Sequence, residues 1–345
     1  MILFFDGAAG AARDFQEAAV DVMFYEVFDE EKDCLRRLLP RKIKAGYTAR
    51  TVQSHCAKTP PAPLVSTRTQ SRIPESWAPL LDGILTRSTG YDHLADAAVP
   101  CGSLPEYCSR AVAEQAILMT LALFRKLPTQ TRNFENFRRE GMTGRELRGA
   151  RLLVVGVGRI GRRAVALGRG LGMDVRGVDL EKRERDLKYL PLGTGLSWAD
   201  AVVCALPLTT RTKGMLGYRS LRKVRPGAVF VNVGRGEVSP MADLARLLQE
   251  RRLGGAGLDV FEDEDRVAEC LRGNIKKSHP SIAALARLQK LDNVILTPHN
   301  AFNTRESVER KSAETVKAVT TFLKTGRFLL PVPGGRRPSS QEELC

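Results

Sequence analysis

The sequence has few of the features that mark secreted, membrane-spanning or metal-binding proteins. Its longest apolar stretch covers only residues 116–124, well short of the ~20 residues that a membrane-spanning helix needs. The seven cysteines are scattered and never spaced as Cys-x-x-Cys, which argues against a disulfide framework and a zinc site. The first six residues lack a basic flank, so we expect a β-strand there and no secretion signal. These absences predict a cytoplasmic protein with reduced thiols and neither a membrane nor a metal partner.

The chain is also short of acidic residues, with 39 Asp and Glu against 54 Lys and Arg and a net charge of +15. The basic residues are dispersed, and no aromatic side chains are interleaved with the densest group, between residues 36 and 44. A basic surface attracts anions in general, including carboxylates and nucleotides, whereas nucleic-acid strands also need aromatic residues for stacking. We therefore expect an anionic small-molecule partner and no specific nucleic acid.

Apolar segments alternate with helical patterns over the second half of the chain. With 345 residues, of which 43% are hydrophobic, the chain is long enough for two domains. The alternation predicts α/β structure, with a doubly wound parallel sheet that helices cover on both faces. The predicted strands of this sheet span residues 152–155, 175–178, 201–205, 229–233, 257–261 and 294–297.

A smaller α/β unit is expected in the first hundred residues. Its predicted elements are strands at residues 2–5, 63–67 and 81–86 and a helix over residues 15–25. Further helices are predicted at residues 111–126, 131–140, 241–250 and from the cap residue Thr304 to about residue 325.

The most informative motif is the glycine-rich turn that follows the strand at residues 152–155. Gly156 permits a tight turn, and Gly158 lets the backbone approach a pyrophosphate. Gly161 lets the following helix lie close to the strand. Strand, glycine turn, helix and a second strand come in the order of a dinucleotide-binding Rossmann unit, which a plain structural turn would not need.

The residues after the turn favour NAD as the dinucleotide. Arg159 and Ile160 open a helix whose N–H groups would face the phosphates. Asp179 directly follows the next predicted strand and is placed to accept hydrogen bonds from adenosine ribose hydroxyls, whereas it would repel a 2′-phosphate. Cations that follow closely could offset part of this repulsion and leave NADP as the less favoured alternative: Lys182, Arg183 and Arg185.

Three residues that follow predicted strands of the second half have complementary chemistry. Arg235, Glu264 and His299 each come after a strand, and ligands of parallel sheets collect at the carboxyl ends of strands. A histidine is suited to move the hydroxyl proton of an alcohol near neutral pH, and a carboxylate beside it would orient the imidazole. An arginine offers a planar fork for a carboxylate substrate. Each alone could be a surface residue, but together they predict an acid/base centre with a carboxylate anchor.

These segments resemble the signature sequences of NAD-dependent D-isomer-specific 2-hydroxyacid dehydrogenases. The resemblance runs from about residue 60 to residue 325 and rests on residues 156–161, 232–236, 258–261 with Glu264, and 297–300. It implies a Rossmann nucleotide domain at residues 109–302 and a smaller discontinuous α/β substrate domain at residues 1–108 and 303–345. It also implies a homodimer.

The resemblance further implies roles for individual residues. Arg235 would hold the substrate, His299 would be the general acid/base paired with Glu264, and Asp259 would contact the nicotinamide carboxamide. The substrate side would include Thr89, Gly90 and Tyr91, with Arg68 as an additional candidate.

Two departures from the family pattern bear on the substrate. Asp265 stands where the family commonly has proline, and the segment between Glu264 and His299 is long enough for an extra loop over the cleft. The substrate is therefore expected to be a small 2-oxo or 2-hydroxy acid that the sequence does not name. No lysine lies at residues 88–92 for phosphite oxidation, and Glu264 replaces the glutamine of formate dehydrogenases.

The alternative function is that of a binding protein with the same fold. The resemblance extends to transcriptional corepressors that use the dinucleotide fold as a sensor or scaffold, and a fold alone does not fix a function. Retention of Arg235, Glu264 and His299 favours the enzyme, in which a hydride passes between NAD(H) and a 2-hydroxy or 2-oxo carboxylic acid.

Overall fold

The computed structural model describes residues 20–94, 96–273 and 279–333. The first five strands form one parallel sheet: β1 (Val22–Phe24), β2 (Ala45–Tyr47), β3 (Leu64–Thr67), β4 (Gly83–Thr86) and β5 (Cys101–Gly102). Their spatial order is β2-β1-β3-β4-β5. Helices α1 (Asp29–Leu38) and α2 (Val52–His55) belong to the same part of the chain. This sheet is the centre of the smaller unit.

A second, larger parallel sheet follows. Its strands are β6 (Arg151–Val155), β7 (Asp174–Val178), β8 (Lys188–Tyr189), β9 (Ala201–Cys204), β10 (Ala228–Asn232), β11 (Leu253–Leu258) and β12 (Val294–Leu296). The spatial order is β12-β11-β10-β9-β6-β7-β8. The chain runs outward from β6 in one direction to β7 and then crosses back to β9 on the other side, which creates the crevice where such sheets bind ligands. The predicted doubly wound Rossmann sheet is confirmed.

Helices cover the larger sheet and connect it to the smaller unit. In chain order they are α3 (Ser109–Phe124), α4 (Leu127–Asn133), α5 (Arg159–Gly170), α6 (Leu192–Trp198), α7 (Tyr218–Leu221), α8 (Met241–Gln249), α9 (Glu264–Leu271), α10 (Pro280–Leu288) and α11 (Arg305–Thr325). Helix α3 packs on β10 and β11, where Gly257 leaves room for the side chain of Met119.

The last helix returns to the first sheet. The Thr304 hydroxyl accepts a hydrogen bond from the Ser307 N–H at 3.2 Å, so the predicted helix cap is confirmed. Helix α11 packs against α1, and the ring of Phe322 lies where a side chain on Gly83 would otherwise be. The smaller unit is therefore built from both ends of the described chain. No helix in this part of the chain is both long and apolar enough to cross a membrane.

The helix predicted over residues 15–25 is wrong where the structure describes it. Residues 22–24 form strand β1; Val22 and Phe24 join one core, while Met23 and Tyr25, the residue after the strand, join another. A strand buried on both faces is a continuous apolar run, and periodicity alone does not distinguish such a run from a buried helix. The strand predicted at residues 2–5 lies outside the described residues.

Other differences concern short elements. The helix predicted at residues 131–140 is instead α4, followed by a single 3-10 turn that ends where Phe137 adopts a left-handed conformation. The expected extra loop between Glu264 and His299 consists, in its described parts, largely of helices α9 and α10. Strands β2, β5 and β8 were not predicted, because strands of two or three residues carry almost no periodic signal.

Candidate active site

Two adjoining cavities lie between the units, at the carboxyl ends of strands. Their volumes are about 550 Å³ and about 460 Å³. The residues that line both are Thr69, Gln70, Glu264, Asp265 and His299. Arg235 lines the smaller cavity together with Glu264 and His299. The structure thus brings the three predicted strand-end residues into one cleft.

His299 and Glu264 form a close pair. The Nδ1 atom of His299 lies 2.6 Å from Oε1 of Glu264, and the side chains are 22% and 20% exposed. Burial by itself would raise the pKa of Glu264, but the charge of His299 and its hydrogen bond outweigh burial and hold that pKa below its ordinary value. The carboxylate is therefore kept ionised beside the imidazole and leaves Nε2 as the ring nitrogen available to a ligand.

The loop that carries His299 is held by Asp259. One carboxylate oxygen accepts hydrogen bonds from the Thr297 hydroxyl at 2.5 Å and the Asn300 N–H at 2.9 Å. The other accepts the Ala301 N–H at 3.0 Å. His299 itself has a φ of +51°, a left-handed conformation that is costly for a side chain other than glycine and needs surrounding support. The fully buried Asp259 supplies this support.

Arg235 is held both by hydrogen bonds within its own turn and by a contact with the smaller unit. The amide of Asn232 donates to the Arg235 carbonyl at 2.9 Å. The guanidinium donates from Nε to Asp92 at 2.9 Å and from Nη1 to the Gly234 carbonyl at 3.0 Å. Its Nη2 atom lies over Gly90, where any side chain would collide with it. A side chain on Gly90 would therefore displace the Arg235 guanidinium from this position.

The remaining predicted substrate residues are placed differently from one another. Arg68 lines the larger cavity. Thr89 and Tyr91 line neither cavity: the Thr89 hydroxyl lies 3.3 Å from the Cys108 sulfur, and Tyr91 is exposed.

The glycine turn has the shape that a dinucleotide needs. Gly156 has a φ of +90°, and a side chain on Gly161 would collide with the Gly156 carbonyl. Nothing lies within 4 Å of the side-chain position of Gly158, so the backbone there is open to a ligand. The Asp179 carboxylate accepts the Val157 N–H at 2.6 Å, which holds it beside the turn. These residues fit the pyrophosphate and ribose of NAD.

The two other residues predicted to bind the cofactor open helix α5. Arg159 is exposed, and its Nε donates to Glu106 at 3.1 Å. Ile160 is half-buried and packs against the core cluster beneath the turn. Helix α5 begins with no side chain capping it, so its first N–H groups are left for a ligand.

Sequence reasoning missed several residues of the cleft. His93, interpreted from the sequence as a surface or structural histidine, lines the cavity beside Arg235 with both ring nitrogens buried and unpartnered. Burial lowers the pKa of His93. Arg72 reaches from the smaller unit to pair with Asp265. The sequence marked Asp265 as a departure from the family pattern, but nothing in it identified Arg72 as the partner of Asp265.

Comparison with known proteins identifies the family. Residues 117–301 match the sequence model of the D-isomer specific 2-hydroxyacid dehydrogenase NAD-binding domain. The D-specific alpha-keto acid dehydrogenase of Enterococcus faecalis is 31% identical over 246 residues, which are 69% of this chain and 75% of that protein. The glyoxylate reductase of Pyrococcus furiosus is 29% identical over 317 residues, 86% of this chain and 85% of its own.

A solved structure agrees in fold and extent. The D-lactate dehydrogenase of Aquifex aeolicus, crystallised with NAD and lactic acid, superimposes with a TM-score of 0.78 at 29% identity. The match covers 92% of this chain and all of that one. Since the family match alone spans more than half of the chain, the protein belongs to the D-isomer specific 2-hydroxyacid dehydrogenases and is an NAD-dependent oxidoreductase of that family.

Proposed function

We propose that the protein interconverts a small 2-oxo acid and its D-2-hydroxy acid at the cleft that contains Arg235, Glu264 and His299. The observation that carries the proposal is the pairing of His299 with an ionised, largely buried Glu264 in the same cavity as Arg235. When bound, NADH supplies the hydride. The protein's own residues have to bind the acid, orient it and move one proton.

His299 is the proposed general acid/base. With Nδ1 engaged by Glu264, Nε2 holds the proton that passes to the carbonyl oxygen during reduction and returns to Nε2 during oxidation. Glu264 stabilises the protonated imidazole through its charge. The Asp259 contacts to the His299 loop keep this ring in place while the proton moves.

Arg235 is the proposed anchor of the substrate. Its guanidinium can bind the carboxylate and polarise the carbonyl at the same time. The loop is close to the Nη2 atom of Arg235 at Gly90, and its N–H groups at Thr89 and Gly90 would bind the carboxylate, with Tyr91 nearby. We propose the substrate domain as residues 1–108 and 303–345, and the nucleotide domain as residues 109–302.

The cofactor contacts are proposed from the glycine turn. Gly156, Gly158 and Gly161, with Arg159 and Ile160, would hold the pyrophosphate at the start of helix α5. Asp179 would bind the ribose hydroxyls. Asp259 would contact the nicotinamide carboxamide, although three of the roughly four acceptor positions of its carboxylate already serve the His299 loop.

The test follows NADH absorbance with a panel of 2-oxo acids, repeated with NADPH. We expect turnover by the wild type, and a loss of roughly 10²- to 10⁴-fold in kcat for His299→Ala with NADH binding retained. Arg235→Lys should raise KM because the bidentate fork is lost. His55→Gln is the matched control, since His55 bonds to Tyr25 and lines neither cavity.

Two outcomes would contradict the proposal. An unchanged rate in His299→Ala would remove the assigned acid/base role. NADH binding without turnover of any 2-oxo acid would favour the alternative of a dinucleotide-sensing corepressor or scaffold.

We also propose a cytoplasmic homodimer. Large apolar side chains exposed on helices α3 and α4 and on the turn that follows support association: Leu118, Leu121, Leu127, Phe134 and Phe137. Phe134 and Phe137 are 74% and 69% exposed and contact each other edge to face. Sedimentation equilibrium should show a dimer that Phe134→Ser with Phe137→Ser dissociates, and a monomeric wild type would contradict this. The scattered cysteines, six of which are free among the described residues, suit the reducing cytoplasm.

A further inference from the structure

Arg68 lines the larger cavity and has a hydrogen-bond donor that no group of the smaller unit accepts. Its guanidinium carbon is 4.4 Å from the centre of the Phe302 ring and 5.9 Å from that of Phe28, so aromatic faces support the charged group. Its Nε atom is buried and has no hydrogen-bond partner. A buried donor without a partner costs free energy unless a ligand satisfies it.

Two carboxylates lie near Arg68. Glu26 accepts hydrogen bonds from the N–H groups of Arg68, Gln70 and Ser71 at 2.9 to 3.1 Å. The fully buried Glu31 pairs through Oε1 at 2.9 Å with both Arg87 and Lys311, and its Oε2 atom has no hydrogen-bond partner among the described residues.

Behind this wall of the cavity Arg68, Arg87 and Lys311 lie with two carboxylates, Glu26 and Glu31, so positive charge exceeds negative charge while Lys311 keeps its proton. The three cations surround the carboxylate of Glu31, which they hold at a pKa of about 2 against the opposing effect of burial. Burial, joined by the charges of Arg68 and Arg87, lowers the pKa of Lys311 to about 7. An anion bound at Arg68 would relieve this excess, because it would add a counter-charge where the dielectric constant is low.

Four carboxylates line the same cavity: Glu26 beside Arg68, and Glu264, Asp265 and Glu269 on the opposite wall. Glu264 is paired with His299, and Asp265 with Arg72. Glu269, on helix α9, also lines the cavity. Two further cations, Arg50 and Arg272, line the same cavity. Each wall therefore has a cation that an anionic group could contact.

From this arrangement we infer that Arg68 binds a second anionic group at the far end of the substrate. The preferred class is then a 2-oxo acid with a terminal carboxylate, whose first carboxylate is held by Arg235. The inference rests on the proposed function and specifies the substrate class of the same cleft. Arg68 touches the substrate away from the reacting carbon, so it sets specificity without taking part in proton or hydride transfer.

The experiment compares acids that differ in the terminal charge and little in length. We would measure kcat/KM with NADH for 2-oxoglutarate, oxaloacetate and the monocarboxylate 2-oxohexanoate. The wild type should prefer a dicarboxylate by at least about tenfold, as expected for one charge-assisted contact. Arg68→Met keeps an apolar stem and should lose this preference through KM, and Arg68→Lys should restore part of it.

Arg36→Met is the matched control, because Arg36 stacks on Tyr47 and lines neither cavity. A wild type that turns over 2-oxohexanoate as well as or better than both dicarboxylates would overturn the inference and leave the proposed function standing. This comparison needs no variant, so it holds even if Arg68→Met does not fold. Equal losses on both classes of acid in a folded Arg68→Met would also overturn it. No turnover of any 2-oxo acid would overturn both the inference and the proposed function.

Discussion

The Nδ1 atom of His299 lies 2.6 Å from Oε1 of Glu264, although the two residues are 35 positions apart in the sequence. Helix α9 begins at Glu264, and the loop held by Asp259 carries His299 to meet it. The pair is therefore positioned by two different elements of the larger unit, and it makes the charge of Glu264 available to the imidazole.

Replacing Glu264 by glutamine should change the pH dependence of the reaction. The amide has the size of the carboxylate but lacks its charge, so the protonated imidazole loses its counter-charge. We expect the high-pH limb of kcat for reduction to move to lower pH, because the charge of Glu264 and that of the imidazole stabilise each other. Stopped-flow or steady-state rates from pH 5 to 9 would measure this, with the exposed Glu309→Gln as control. An unmoved limb would mean that Glu264 acts only by packing.

Replacing Asp179 by asparagine should relax the choice of cofactor. Asparagine can still accept the Val157 N–H, so the glycine turn keeps its shape, but the charge that repels a 2′-phosphate is removed. Lys182 and Arg185 would then attract that phosphate. We expect the ratio of kcat/KM for NADPH to that for NADH to rise several-fold, whereas an unchanged ratio would show that another group excludes NADPH.

The ion pair between Arg72 and Asp265 joins the smaller unit to the larger one across the cleft. Arg72 is 72% exposed, so the ion pair should stabilise the contact between the two units by at most about 1 kcal/mol, and salt should screen it. We expect Arg72→Ala to raise KM by up to about fivefold at low salt, with little effect above 0.5 M NaCl. The exchanged pair Arg72→Asp with Asp265→Arg should restore the low-salt KM. A salt-independent effect would point to packing and not to charge.

Lys311 should make stability depend on pH. Its pKa falls from 10.5 to about 7 on folding, mainly through burial. Between these two values the unfolded chain binds more protons than the folded protein, so the free energy of unfolding rises with pH. Below pH 7 both states are protonated and this contribution stops changing.

Lys311→Met lacks the titrating group and tests this directly. The free energy of unfolding of the wild type minus that of the variant should increase from pH 7 to 9 by up to about 1.4 kcal/mol per pH unit. Urea unfolding at several pH values would measure it. A difference that stays constant over this range would show that Lys311 keeps its proton when buried.

Local chemistry explains why part of the site could be predicted. The positive φ of Gly156 and the collision that a side chain on Gly161 would cause are demands of a single turn. These requirements concern neighbouring residues of the chain, so they can be recognised before the fold is known. Strand β6 and helix α5 flank this turn with strong periodic patterns, so the Rossmann sheet was predictable as well. Strand β1 was not, because burial on both faces removes the alternation that distinguishes a strand.

The fold class, the dinucleotide turn with Asp179 and the candidate residues Arg235, Glu264 and His299 could all be predicted from the order of the amino acids. These features depend on short spacings and on the rule that parallel strands present their carboxyl ends at one edge. Three other contacts depend on how the folded chain packs: Arg68 lies on Phe302, Lys311 and Arg87 share Glu31, and Asp259 supports the His299 loop. Such contacts join residues up to 280 positions apart, from Glu31 to Lys311, and arise when two sheets and a returning helix pack together. The spacing of residues along the chain does not predict that packing.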